Sequence, residues 1–355
     1  MKISLHIAPF VLALLIARAG AAEFTTADVE AATGRALTLV TRAASNWQKN
    51  KTCFACHHQT LPMLAVREAA RAGFAPDAAW LRSQAETTHR YFAERIEDLD
   101  EGEHVPGGAA TTAYGFWALI LDERPPDATT TAMVHYLLQI QGVVRLRDRK
   151  PDVAPRLADG RWIASCRRAP LQGSDLADTV LALLGMEKYA LPAQRPEVVK
   201  ARAAAEAWLG QVRLKTQQDR LWRLWGLHQL GGDAEVKRTV QAAILAAQRD
   251  DGGWAERDER TSDAYSTAQT LFMLCRTGMA NDAPAILRAR DYLLRTRFVD
   301  GSWLVKSHQE KKVQPYFENG DPHGEHQFLS TAATAWAAAG LSQLLPPKPV
   351  LMPHQ

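Results

Sequence analysis

Two cysteines three positions apart, followed at once by histidine, stand at Cys53-Phe54-Ala55-Cys56-His57. Thiols at that spacing can each form a thioether to one porphyrin edge, and the histidine after them is placed to reach the iron from the proximal side. The expectation is a covalently held haem c, with Cys53 and Cys56 as tethers and His57 as proximal ligand. His58 comes next, so the stretch also offers thiolates and imidazoles to zinc or copper. A disulfide or redox pair is a third reading. For a sixth iron ligand, Met63 is near in sequence. His323 and His326 lie in the polar, Gly-rich stretch Tyr316–His326, just before the last helical segment.

Away from this motif the chemistry is sparser. Asp175, Asp178 and Asp263 are candidate catalytic acids, and together with Asp219 they also suit helix N-termini, where a carboxylate caps free N–H groups. Tyr265, Trp117, Trp222, Trp225 and Trp336 could floor an apolar pocket or fill a core. Cys166 and Cys275 could pair in an oxidising compartment. The Arg-rich run Arg145–Arg168 reads as a solvated connection.

A chain of 355 residues, 46% of them hydrophobic, can bury one large core or two smaller ones. A formal charge of +3 is too small to suggest nucleic acid. Residues 1–22 read as a secretory signal: Lys2, an apolar run from Ile7 to Ala17, then Ala19-Gly20-Ala21-Ala22 for cleavage. Arg18 cuts the run well below the ~20 residues a membrane span needs. The expectation is an exported, periplasmic bacterial protein with no stable membrane span. Covalent haem attachment outside the cytoplasm agrees with that.

The elements that must position these residues are helical. Thr25 to Asn50 reads as one helix capped by Thr25 or Thr26, and Pro62 suits the first turn of a second helix ending near Gly73. The cysteine motif lies on the connection between them. Asp77 to Asp98 reads as one long helix. Gly107-Gly108 opens another at Ala109–Leu119, and Pro125-Pro126 precedes one running to Gln141. Further helices are expected near 174–190, 195–213, 217–231, 233–249, 262–277, 283–297 and 327–345. This divides the chain into a signal (1–22), a helical segment with the cysteine motif (23–104), a repeat region (105–345) and a loose tail (346–355).

The repeat is Q/R-x-x-D-G-x-W. It occurs at Arg156–Trp162, Gln248–Trp254 and Arg297–Trp303, with glycines 92 and 49 residues apart. That fits a unit of about 45–50 residues with one degenerate copy near Trp208. Asp175, Asp219 and Asp263 recur every 44 residues, each opening a helix. One helical hairpin cannot bury its own face, so such units must stack or close into a ring. Gln248-Arg249-Asp250-Asp251-Gly252-Gly253-Trp254 and the following Ser262–Gln269 resemble the QW repeat and inner helix of the squalene–hopene cyclase and protein prenyltransferase superfamily.

That resemblance implies an all-α, α/α-toroid fold, with inner helices around a central axis and outer helices around them. It also implies a terpenoid-handling site. The superfamily's class II cyclases protonate substrate with D-x-D-D, and Asp175-Leu176-Ala177-Asp178 has alanine in place of the central acid. The first functional expectation is therefore an exported haem c-binding redox or ligand-binding protein on a cyclase-like toroid. It would hold a small apolar ligand in the ring and meet a periplasmic redox partner. The alternative is a cyclase-like enzyme or lipid-binding protein whose cysteine motif is structural or binds metal.

Overall fold

The computed structural model describes residues 24–75, 77–103, 105–144, 157–166, 168–307 and 319–348, with the His57 side chain left aside. The expected signal, most of the Arg-rich run, the start of the Tyr316–His326 stretch and the end of the tail lie outside these residues. Among the described residues there is no strand, and no helix is long and apolar enough to cross a membrane.

Thirteen α-helices appear among the described residues. Helix α1 is Thr26–Asn50. Its N-terminus is fixed by a reciprocal cap, Thr25 accepting from the Asp28 N–H and Asp28 accepting from the Thr25 N–H. Then come α2 (Leu61–Ala70), α3 (Ala78–Ala93), α4 (Ile96–Asp100), α5 (Gly108–Leu121) and α6 (Ala128–Ile140). After the long connection follow α7 (Asp175–Tyr189), α8 (Arg195–Gln211), α9 (Gln217–Gln229), α10 (Ala234–Ala246), α11 (Ala264–Arg276), α12 (Pro284–Thr296) and α13 (Gln327–Ser342).

These helices form an α/α toroid. Helices α2, α5, α7, α9, α11 and α13 each pack on the next, and α13 returns to α2, so the inner ring closes. Helices α1, α3, α6, α8, α10 and α12 lie outside them. The sequence explains the division. All of α13 is buried, and it is built mostly of Ala, Ser, Thr and Gly, which let α11 and α13 approach closely. A helix apolar on all sides belongs in a core, whereas α10 buries only Val240 and Ile244.

The repeat turn is the fastener between layers. Trp162, Trp254 and Trp303 are fully buried. Each indole N–H donates to a carbonyl near the end of the preceding outer helix: Leu137 at 2.8 Å, Ile244 at 2.7 Å and Leu293 at 2.9 Å. Each Trp backbone N–H donates to a threonine of the following inner helix: Thr179 at 3.0 Å, Thr267 at 2.9 Å and Thr334 at 3.2 Å. One residue thus joins an outer helix, a turn and an inner helix.

Three local expectations are corrected. The Asp77–Asp98 helix is broken at Arg95, whose non-helical backbone (φ −130°, ψ 24°) and bond from Nη1 to the Tyr91 carbonyl end α3 and let α4 turn onto α6. The glutamine of the first repeat is Gln141, not a residue aligned at 156. Gln141 Nε2 donates to the Gly160 and Ala201 carbonyls, as Gln248 Nε2 does to those of Gly252 and Ala285. The inserted connection hides that equivalence. Trp208 sits within α8 rather than in a turn, so the α8–α9 hairpin lacks the fastener.

Candidate functional site

The cysteine motif leads into an inner helix of the ring. Ala55 is extended (φ −140°, ψ 116°) and has no side-chain cap of the usual kind. Residues Cys56–Thr60 form one wide turn in which the Leu61 N–H reaches back five residues to the Cys56 carbonyl. Such π turns recur at functional sites. Within it the Gln59 side chain folds back, and its Oε1 accepts from the Ala55 N–H at 2.8 Å. Thr60 Oγ1 donates to the Tyr114 carbonyl at 3.0 Å, tying the turn to α5.

The two cysteines face different surroundings. Cys53 is exposed and lies near Tyr91 of α3. Cys56 is 2% exposed and accepts from Gln172 Nε2 at 3.1 Å, with Tyr114 and Tyr265 nearby. In this arrangement a haem could be held by both thioethers only if Cys56 turned out of its bond to Gln172. Among the described residues no three His, Cys, Asp or Glu side chains converge as a metal site.

His58 is buried and held on two sides. Its ring stacks on Trp47, with centroids 4.7 Å apart, and its Nε2 pairs with the Asn319 amide. Burial pulls its pKa down to about 3, so the imidazole is neutral. Trp47 Nε1 in turn donates to the Cys53 carbonyl at 2.9 Å. Arg42 Nη2 and Asn46 Nδ2 of α1 hold the Gly320 and Asn319 carbonyls. The segment before α13 is therefore strapped across α1 to the cysteine motif. His323 meets Ser302 Oγ at 2.8 Å and the edge of Phe298, and His326 Nδ1 accepts from the Ser307 N–H. Among the described residues of that segment, Asn319 reaches the motif. Met63 is fully buried in α2.

The three aspartates separate by environment. Asp175 pairs with Arg161 at 3.0 Å and accepts from the Ala164 N–H, so it fastens the first repeat turn. Asp263 caps α11, accepting from the Ser266 N–H at 2.8 Å, and burial pushes its carboxyl up to about 6. Asp178 is 1% exposed, its Oδ2 has no partner, and burial, then Asp175, drive its pKa well above the carboxylate range. It lies close to Tyr114 and Cys166. Cys166 and Cys275 are not bonded to each other, and burial raises both thiols, Cys275 to about 12.

One group of residues emerges only in three dimensions. Gln59 Nε2, Tyr114 Oη, Gln172 Oε1, Asp178 Oδ2 and both polar ends of Gln269 are buried without a partner. They come from the π turn, α5, the segment before α7, α7 and α11. Tyr265, one turn before Gln269, donates to Gln218 Oε1 at 3.0 Å. Beside them runs an aromatic chain: Tyr114 on Trp117, Trp117 on Trp222 and Trp336, and Phe272 on Trp336 and Trp225. The indole N–H groups of Trp222 and Trp225 are also unpartnered. Sequence reading found the tryptophans. It singled out none of Gln59, Gln172 and Gln269 as a site residue.

Solved structures share this ring. The type II terpene cyclase MstE from Scytonema superposes with a TM-score of 0.52 at 14% identity, over 91% of this chain and 99% of the cyclase. A variant of that cyclase bound to its substrate, geranylgeranyl dihydroxybenzoate, gives 0.51 at 14%, over 90% and 99%. A glycosidase variant gives 0.56 at 14%, over 90% and 98%. At such identity the likeness establishes the fold, an α/α toroid, and nothing of the reaction. No family model matches the chain, and no curated protein is similar to it in sequence.

Proposed function

We propose that the axis of the toroid is the working site and that it takes a small molecule with an extended apolar body and a polar head. The observation that carries this is the set of partnerless buried polar atoms beside the tryptophan chain. Each such atom costs about 1–3 kcal/mol unless something bonds it, and six of them on five ring segments is a concentration that a ligand's polar groups would relieve. A prenylated molecule, such as the one bound by the Scytonema cyclase, has that two-part character. Asp178, whose burial favours the protonated form, is the group that could donate a proton to it. Asp175 is committed to Arg161.

Titration of the mature protein with geranylgeraniol, read by tryptophan fluorescence, tests this. Saturable quenching is expected, about two- to tenfold weaker in Asp178→Asn if one hydrogen bond is lost. No response from the wild-type protein would end the reading.

The C-x-x-C-H motif behind an expected export signal favours a second reading, a haem c-bearing redox protein with Cys53 and Cys56 as tethers, His57 as proximal ligand and a periplasmic partner. A pyridine haemochrome spectrum with intact mass, after export in the presence of a c-type maturation system, decides it. A c-type α-band and one haem of added mass, both lost in the Cys53→Ala/Cys56→Ala protein, would carry it.

A further inference from the structure

We propose that Cys56 and Gln59 condense into an internal thioester, making this turn a stored acyl group for capture of a small amine or hydroxyl nucleophile. The pair sits three residues apart in the π turn, and the Gln59 side chain folds back past Cys56 to the Ala55 N–H. Two of the three participating atoms have a hydrogen-bond partner. Gln172 Nε2–H donates to the Cys56 sulfur at 3.1 Å and holds it in place. The Ala55 N–H donates to Gln59 Oε1 at 2.8 Å, where negative charge would develop as sulfur attacks the carboxamide carbon. Gln59 Nε2, the leaving group, is buried and held by nothing.

The step balances without a co-reactant. The Cys56 sulfur bonds to the Gln59 side-chain carbon, the C–N bond breaks, and the thiol proton leaves with the nitrogen as ammonia. No atom is oxidised or reduced. Condensation also removes an unpartnered NH2 from a dry interior, and the burial of both residues (2% and fully buried) keeps water from hydrolysing the product. A nucleophile admitted along the axis would reverse the sense of the reaction, taking the Gln59 acyl group and releasing the Cys56 thiol. This proposal uses the same end of the ring as the ligand reading but does not depend on it.

Mass spectrometry of the exported full chain, isolated without reductant or amines, tests it through the tryptic peptide Thr52–Arg67. The expected peptide is lighter than its sequence by one ammonia, with Cys56 resistant to alkylation. Methylamine should then add to Gln59 and free one thiol. Gln59→Glu should abolish both effects, and Cys53→Ala should retain them, which haem attachment would not allow. A full-mass peptide with Cys56 alkylated on unfolding, a haem on Cys53 and Cys56, or an ammonia loss that persists in Gln59→Glu would each overturn the proposal. A full-mass peptide from protein that still responds to geranylgeraniol removes the thioester alone, and a thioester without that response removes the prenyl-ligand reading alone.

Discussion

Gly301, in the turn that follows α12, packs directly on Arg35 of α1. A Cβ at Gly301 would stand 2.4 Å from the Arg35 Cβ and 2.8 Å from its carbonyl carbon. Gly252 makes the same approach to Arg288 of α12, and Gly160 to Ala204 of α8. The last repeat thus treats the first helix as its next neighbour, and the ring closes by the contact that spaces its members.

Gly301→Ala should therefore cost more than an ordinary glycine replacement. The position has φ +90°, a conformation that costs an L-residue about 1–2 kcal/mol, and the clash with α1 backbone adds about 1–2 more. Gly231 has φ +79° but open space around it, so Gly231→Ala should pay only the first cost. Urea denaturation of the two variants compares them. Equal losses would show that closure at Arg35 contributes nothing.

The fastener predicts a second series. Thr179, Thr267 and Thr334 each accept the backbone N–H of a buried tryptophan. Replacement by the near-isosteric valine leaves that N–H unpaired, at about 1–3 kcal/mol each. Thermal unfolding should show three similar decreases. A neutral Thr267→Val would mean that the indole bond alone sets the turn.

Much of this architecture could be read from the chain. Thr25 with Asp28, the Pro-bounded helix starts and the D-G-x-W turns are local signals, and local signals survive in sequence. The candidate site was less legible because its partners come from closure. Asn319 meets His58 across 261 positions and Gln172 meets Cys56 across 116. No periodicity links such residues. The histidines of 316–326 drew notice for their ligating chemistry, yet Asn319, ahead of both, makes the contact. The break at Arg95 has no proline or glycine to announce it and follows from the tertiary demand that α4 lie on α6.

His58 gives the protein an acid-sensitive strap. Its folded pKa of about 3 lies below the unfolded value of 6.5, so the folded state binds fewer protons between those limits. Stability from this group is complete above pH 6.5 and is lost as pH falls, by up to about 1.4 kcal/mol per unit. Protonation would also break the pairing with Asn319. Melting curves from pH 7 to pH 4 should fall less steeply for His58→Gln than for the wild-type chain. Parallel curves would refute a neutral buried imidazole.

Asp178 should act with the opposite sign. Its folded pKa is raised by burial, so the folded state binds more protons than the unfolded one above about pH 4, and this group's contribution declines as pH rises, by up to about 1.4 kcal/mol per unit until the folded pKa is reached. Asp178→Asn cannot ionise. The stability difference between variant and wild-type protein should therefore move steadily in the variant's favour from pH 4 to pH 8, whatever its offset at pH 4. The slope isolates the titration from any loss of packing. A difference that stays constant across the range would mean that Asp178 is ionised in the folded ring, and the proton donor assigned to the axis would have to be another residue.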